Sequence, residues 1–128
     1  MKYRLLDLLA CPHCKNWPLS YLVFNETRYE YKELKVQTPF CKDYCGLKID
    51  YLNNINIATI NCLECIKKEI VEGIIICNKC NRWYPIIDEI PIMLPDELRN
   101  EKDDKEFLKK WKNMIPEKIL LSGLPFHL

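Results

Sequence analysis

The sequence predicts an α+β fold: a small zinc-ribbon-like β-sheet domain, a mostly helical insert between two Cys-x-x-Cys knuckles, and a C-terminal helix. Three observations predict it. Cys11-Pro-His-Cys14 and Cys77-Asn-Lys-Cys80 carry the spacing of metal knuckles. Apolar runs of strand length flank the second pair: Ile74-Ile75-Ile76 before it, then Trp83-Tyr84-Pro85-Ile86-Ile87 and Ile90-Pro91-Ile92-Met93-Leu94. Near the C-terminus, Phe107, Leu108, Trp111 and Ile115 recur at the three-four spacing of a helix stripe.

A chain of 128 residues bounds the fold to one compact domain with inserted or appended pieces. The spacing divides it into a discontinuous zinc-binding β domain (1–24 and 66–98), an insert (25–65) and a C-terminal helical extension (99–128). Apolar residues, at 48%, suffice for a core, but a domain this small gains from a metal staple. Nineteen basic residues against 18 acidic leave a net charge of +1, which gives no general pull toward nucleic acid or anionic lipid. Three glycines are too few for a glycine-rich phosphate loop. No apolar run approaches the roughly 20 residues that span a bilayer. Leu8-Leu9-Ala10-Cys11 resembles a lipoprotein cleavage site only superficially, because Asp7 interrupts the apolar run it requires. The expected compartment is the cytoplasm.

In chain order, residues 1–10 predict an amphipathic helical turn, with Leu5, Leu6, Leu8 and Leu9 inward and Arg4 and Asp7 outward. Pro12 pre-sets the first knuckle turn, and His13 faces solvent rather than the ion. Residues 17–36 alternate as a strand and hairpin, with Asn25-Glu26 as the turn. The tyrosines there pack across strands; no basic groove accompanies them to make a base-stacking platform. Thr38-Pro39 reads as a helix start and Gly46 as its stop. Asp50 starts a second helix and Asn61 caps a third. Strand, knuckle, strand, turn and extended segment fill 69–94. Acidic residues at 103–106 and lysines at 109–112 suit the dipole of a helix over 103–115, which Pro116 stops. A short helical turn at 119–121 ends at Gly123.

Two pairs of cysteines at this spacing make a strong metal signal. Closing the 62 residues between Cys14 and Cys77 costs about 3.7 kcal/mol plus a constant, whereas a structural thiolate zinc site contributes about 10–16 kcal/mol. Cys11, Cys14, Cys77 and Cys80 are therefore the expected zinc ligands. Cys41, Cys45, Cys62 and Cys65 leave two readings open. On antiparallel helices, Cys41 would join Cys65 and Cys45 would join Cys62 as disulfides; alternatively the four bind a second zinc. An abundance of isoleucine, lysine and glutamate, frequent in hyperthermophiles where cytosolic disulfides occur, favours the disulfides. A redox Cys-x-x-Cys needs a low-pKa thiol at a helix start within a βαβ frame, and neither knuckle has one. Only His13 and His127 are present, and no carboxylate pair sits in an apolar setting, so no catalytic set emerges.

The segments LLDLLACPHCK, WPLSYL and EIVEGIIICNKCNRWYPIIDEIPIML resemble the small zinc-binding activator subunit shared by several methyltransferases. The resemblance covers residues 1–24 and 66–98, is most specific from Val71 to Leu94, and hardly touches the tail. It implies a non-catalytic subunit, not an enzyme, with Zn2+ on Cys11, Cys14, Cys77 and Cys80. Its implied partners are Rossmann-like methyltransferases, held in a heterodimer. S-adenosylmethionine and tRNA would be met only through that partner, with a translation release factor as a further substrate and no DNA or membrane contact. Partner binding would proceed by strand addition through Ile86, Ile87, Ile90, Ile92, Met93 and Leu94, with Leu5 and Leu8 adjoining, unless these residues are plain core. Where the family has glycine before Ile-Pro, this chain has Glu89, which makes a left-handed turn costly there. The alternative from another class is a stand-alone zinc-ribbon RNA-binding module, which would show a clustered basic face.

Overall fold

The computed structural model describes residues 1–33 and 38–128. After a 3-10 turn at Tyr3–Asp7 come strands β1 (Ser20–Arg28), β2 (Tyr44–Cys45) and β3 (Asp50–Tyr51). Then follow helix α1 (Cys62–Cys65), strands β4 (Lys68–Ile76), β5 (Trp83–Ile87) and β6 (Ile90–Pro91), and helices α2 (Glu101–Lys110) and α3 (Glu117–Ser122). The main sheet is antiparallel, in the order β1-β4-β5-β6; β2 and β3 form a separate small ladder.

β4 is the spine because its isoleucines are apolar toward both faces. Ile70 and Ile75 enter one core with Leu6, Leu19, Tyr84 and Ile86. Ile74 and Ile76 enter a second core with Trp83, Phe107, Leu108 and Ile119. A strand buried on both sides reads as a continuous apolar run, as Ile74-Ile75-Ile76 does. The N-terminal turn and the insert cover the first face. The extension covers the second, where Trp83 stacks on Phe107 at 5.7 Å and Phe24 on Trp111 at 4.8 Å.

β1 departs from the expected hairpin. It runs straight through Asn25-Glu26, pairing with β4 from Ser20↔Ile76 to Arg28↔Lys68, and the supposed turn is a bulge at Val23–Glu26. A nine-residue partner of matching length outcompetes a local turn whose residues tolerate extended backbone. Opposite Val23, Gly73 brings the strands so close that a Cβ would lie 2.5 Å from the Leu22 carbonyl. The end of the expected hairpin, residues 34–36, lies outside the described residues.

The insert is less helical than its sequence suggests. No helix spans Phe40–Cys45. Asp7, expected on the outside, instead accepts the backbone N–H groups of Lys42, Asp43 and Tyr44 at 2.9, 2.9 and 2.8 Å. That gives those donors an alternative to a helix. Tyr44-Cys45 then pairs with Asp50-Tyr51. Leu52–Asn54 and Ile57–Thr59 are single 3-10 turns. Asn61 does cap α1, accepting from the Glu64 N–H at 3.1 Å.

The turn before Ile90 is left-handed after all: Asp88 and Glu89 adopt φ of 50° and 71°. Two positive φ values in a two-residue connection suit the twist of the β5–β6 hairpin. The surroundings grip the strained residue. Its N–H reaches the Val71 carbonyl at 3.0 Å, its carbonyl accepts from the Met1 ammonium at 2.6 Å, and its carboxylate accepts from the Tyr29 hydroxyl.

α2 begins two residues earlier and ends sooner than expected. Asn100 caps it by accepting from the Asp103 N–H at 3.0 Å. Asp104 is buried in an ion pair with Arg99 at 2.9 Å rather than solvated. Phe107, Leu108 and Ile115 face the sheet, and α3 ends at Gly123.

Candidate metal centre

Each knuckle is a tight backbone turn with the same bonds. The Cys11 carbonyl accepts from the Lys15 N–H and the Cys11 N–H donates to Asn16, both at 2.9 Å. In the second knuckle, the Asn81 N–H donates to Cys77 at 2.9 Å, and the Cys77 N–H to Arg82 at 2.8 Å. Lys15 and Asn81 take the left-handed conformation, φ 65° and 63°. Asparagine adopts it readily, so Asn81 was a readable signal; Lys15 was not.

The sheet brings both knuckles to one end. The four Sγ atoms of Cys11, Cys14, Cys77 and Cys80 lie within 4.8 Å of one another. Cys11 and Cys80 are 3.6 Å apart, Cys14 and Cys77 3.5 Å. A tetrahedral thiolate site with bonds of about 2.3 Å has sulfur–sulfur edges of about 3.8 Å, so the donor set fits a soft tetrahedral dication. His13 is exposed and contributes no ligand. Among the described residues this is the group that offers such a donor set.

Polar groups around the sulfurs favour thiolate. Burial opposes ionisation of Cys11, but the Tyr84 hydroxyl at 3.3 Å and the backbone N–H groups of Cys14 and His13 outweigh it and pull the thiol down to about 6. Burial, with neighbouring Cys77 and Cys11, pushes Cys80 up to about 12. In contact without an ion, one thiol of such a pair ionises at the other's expense; a dication between them would hold both as thiolates. Asn16 donates to Cys77 at 3.8 Å, and Arg82 is clamped by Asp96 at 2.6 Å beside the second knuckle. Tyr84 and Asn16 complete the shell of donors, and only their spatial position marks them.

The expected partner surface divides. Ile86 is fully buried in the first core and is not surface. The pleat sends Ile86 and Ile87 to opposite faces, so the two cannot serve one interface. Leu5 and Met93 pack partly against the same core as Ile86. Leu8 is 70% exposed but lines a different depression, with Arg4, Asp7, Phe40 and Lys42. Ile87, Ile92 and Leu94 line a groove of about 330 Å³ with Leu98 and, from the extension, Phe107. Ile90, 61% exposed, stands on the outer strand β6.

No sulfur–sulfur bond joins any of the eight cysteines in this structure, the Cys41–Cys65 and Cys45–Cys62 pairs included. Burial first, then Asp7 and the neighbouring thiols, pushes Cys41 up to about 12; burial and its neighbours push Cys65 up to about 11.

Fold and site together define a class: a small α+β domain in which an N-terminal knuckle and a knuckle past mid-chain meet as a four-cysteine donor set fit for a metal. A family profile described as Trm112p-like protein matches residues 2–89. The chain belongs to this family of small zinc-binding methyltransferase activators, which are non-catalytic subunits. No curated protein and no solved structure shows a significant match to the chain. Residues 90–128, with α2 and α3, lie beyond the family match.

Proposed function

We propose that this chain holds zinc on Cys11, Cys14, Cys77 and Cys80 and uses its outer sheet edge to bind, solubilise and activate Rossmann-like, S-adenosylmethionine-dependent methyltransferases in the cytoplasm. The substrates are tRNA and, through a second partner, a translation release factor. The partner supplies the cofactor site and the chemistry.

The observation that carries this reading is the apolar strip at the β6 edge. Ile90 (61%), Leu98 (64%) and Leu94 (39%) are exposed beside the groove lined by Ile87 and Ile92. Among the described residues β6 pairs with β5 alone, which leaves its outer side open to an added strand. A contiguous exposed apolar patch on a small protein marks an interaction surface. Zinc would fix the sheet end from which β5 sets out toward the β5–β6 turn.

Co-expression with Rossmann-like methyltransferases of the same cell, followed by tRNA methylation assays, tests the proposal. Full partner activity and solubility without this chain overturn it. Replacing Ile90 and Leu94 by aspartate is expected to abolish co-purification while zinc content stays unchanged; undiminished co-purification refutes the surface. Salt-sensitive tRNA binding by the chain alone, with no methyltransferase required, would favour the RNA-binding module instead.

A further inference from the structure

We propose that Cys41, Cys45, Cys62 and Cys65 form a second structural zinc site, which fastens the base of the insert. The arrangement Cys-x3-Cys, sixteen residues, then Cys-x2-Cys approximates the pattern of two knuckles on one ion. The fold gathers these residues. Cys45, Cys62 and Cys65 are buried, at 5%, 8% and 7% exposure. Tyr44, next to Cys45 on β2, and Cys65 of α1 enter the same core, and Cys62 lines one depression with Thr38 and Pro39, just before Cys41.

The turn after Cys45 has the backbone form of those in the first centre, although it holds Lys48 where they hold a second cysteine and Cys41 precedes it. The Cys45 carbonyl accepts from the N–H four residues on, Ile49, at 2.8 Å, and Ile49 is left-handed at φ 56°. Lys15 and Asn81 hold that place in the first two knuckles. A β-branched residue adopts this conformation only where its surroundings impose it. On α1, Cys62 and Cys65 are three residues apart and share a face.

The loop between the pairs needs such a fastening. Residues 47–61 contain no buried side chain, and Ile49 and Ile57 are 63% and 57% exposed. Leu47 packs partly against the first core and Tyr51 meets Trp17 and Tyr44 edge-on, but the stretch from Leu52 to Asn61 has no such anchor in either core, and the buried Cys45 and Cys62 flank the loop. The four sulfurs are spread more widely than those of the first centre, which alone among the described residues draws its donors within 4.8 Å. Each cysteine has one side-chain torsion to turn inward. A disulfide pairing would consume the same thiols, and it is the outcome the test must separate.

The full chain, purified under reducing conditions without chelator, is examined by native mass spectrometry and elemental analysis. Two zinc ions per chain and eight reduced thiols are expected. Fewer than two ions, or a denatured mass short by about four hydrogens from two disulfides in chain prepared without reductant, overturns the proposal. In the double variant Cys62→Ser, Cys65→Ser, zinc is expected to fall from two ions to one with the first centre retained. Two ions remaining would place the second elsewhere and refute the assignment. The count on the unaltered chain decides the matter even if the variant does not fold.

Discussion

Asp7 shows how one side chain reshapes a segment. Its carboxylate accepts three backbone N–H groups of the insert, and these bonds outweigh the opposing effect of burial to hold it below the usual carboxylate range. Asp7→Ala is expected to cost about 1–2 kcal/mol in urea denaturation, allowing for its partial exposure. Glu69 is likewise held low: burial opposes its ionisation, but the Met1 ammonium at 2.8 Å and Lys2 at 2.9 Å prevail. Asp96 is held low by Arg82. A depressed folded-state value contributes stability above the ordinary value and loses it as pH falls through the folded one. The ordinary values are 4.5 for Glu69 and 3.8 for Asp7 and Asp96. The melting temperature should therefore hold from neutral pH to about 5 and fall progressively below about 4.5. Protonated thiolates would also release metal in acid, and a zinc-sensitive dye read during the same titration separates the two losses. Cys77→Ser should abolish metal binding at the first centre and unfold the domain; full zinc content with an unchanged melt would refute the ligand assignment.

At the scale of elements, two features carry predictions. The β5–β6 turn holds Glu89 at φ 71°, a conformation costing a non-glycine residue about 1–2 kcal/mol. Glu89→Gly should raise stability by about 1 kcal/mol, because the exposed bond to Tyr29 returns little. A lowered denaturation midpoint would show that the tyrosine contact matters more than the backbone. Helix α2 sits on the sheet through Phe107, 7% exposed and stacked on Trp83. Phe107→Ala should cost about 3–5 kcal/mol by denaturation, and it should widen the groove shared with Ile87 and Ile92.

The molecule as a whole is one sheet with a separate cover on each face. The N-terminal turn and the insert close one side; the extension beyond the family match closes the other. Removing residues 99–128 would bare Ile74, Ile76 and Trp83, which are at most 6% exposed in the full chain. Burying each such side chain contributes about 1.5–3 kcal/mol. The truncated protein should bind hydrophobic dyes and aggregate unless a partner covers that face; a soluble, cooperatively melting truncation would show that the first core suffices.

The four-cysteine cluster and the β4–β5 core were legible because their signals are local. Cysteine spacing and short apolar runs state their chemistry within a few residues, and the α2 stripe repeats over two turns. Long-range competition was not legible in the same way. The Asn25-Glu26 turn lost to pairing with a strand forty residues away, and the Thr38-Pro39 helix lost to a carboxylate at Asp7. Ile86 and Ile87 look equivalent as letters, but the pleat and the two covers make one core and the other groove. Sequence alone determined what the chain can ligate and which segments are apolar, since those properties belong to side chains. Only the tertiary structure decided which backbone groups find which partners and which apolar residues stay outside, because both depend on what is left to cover them once the sheet has formed.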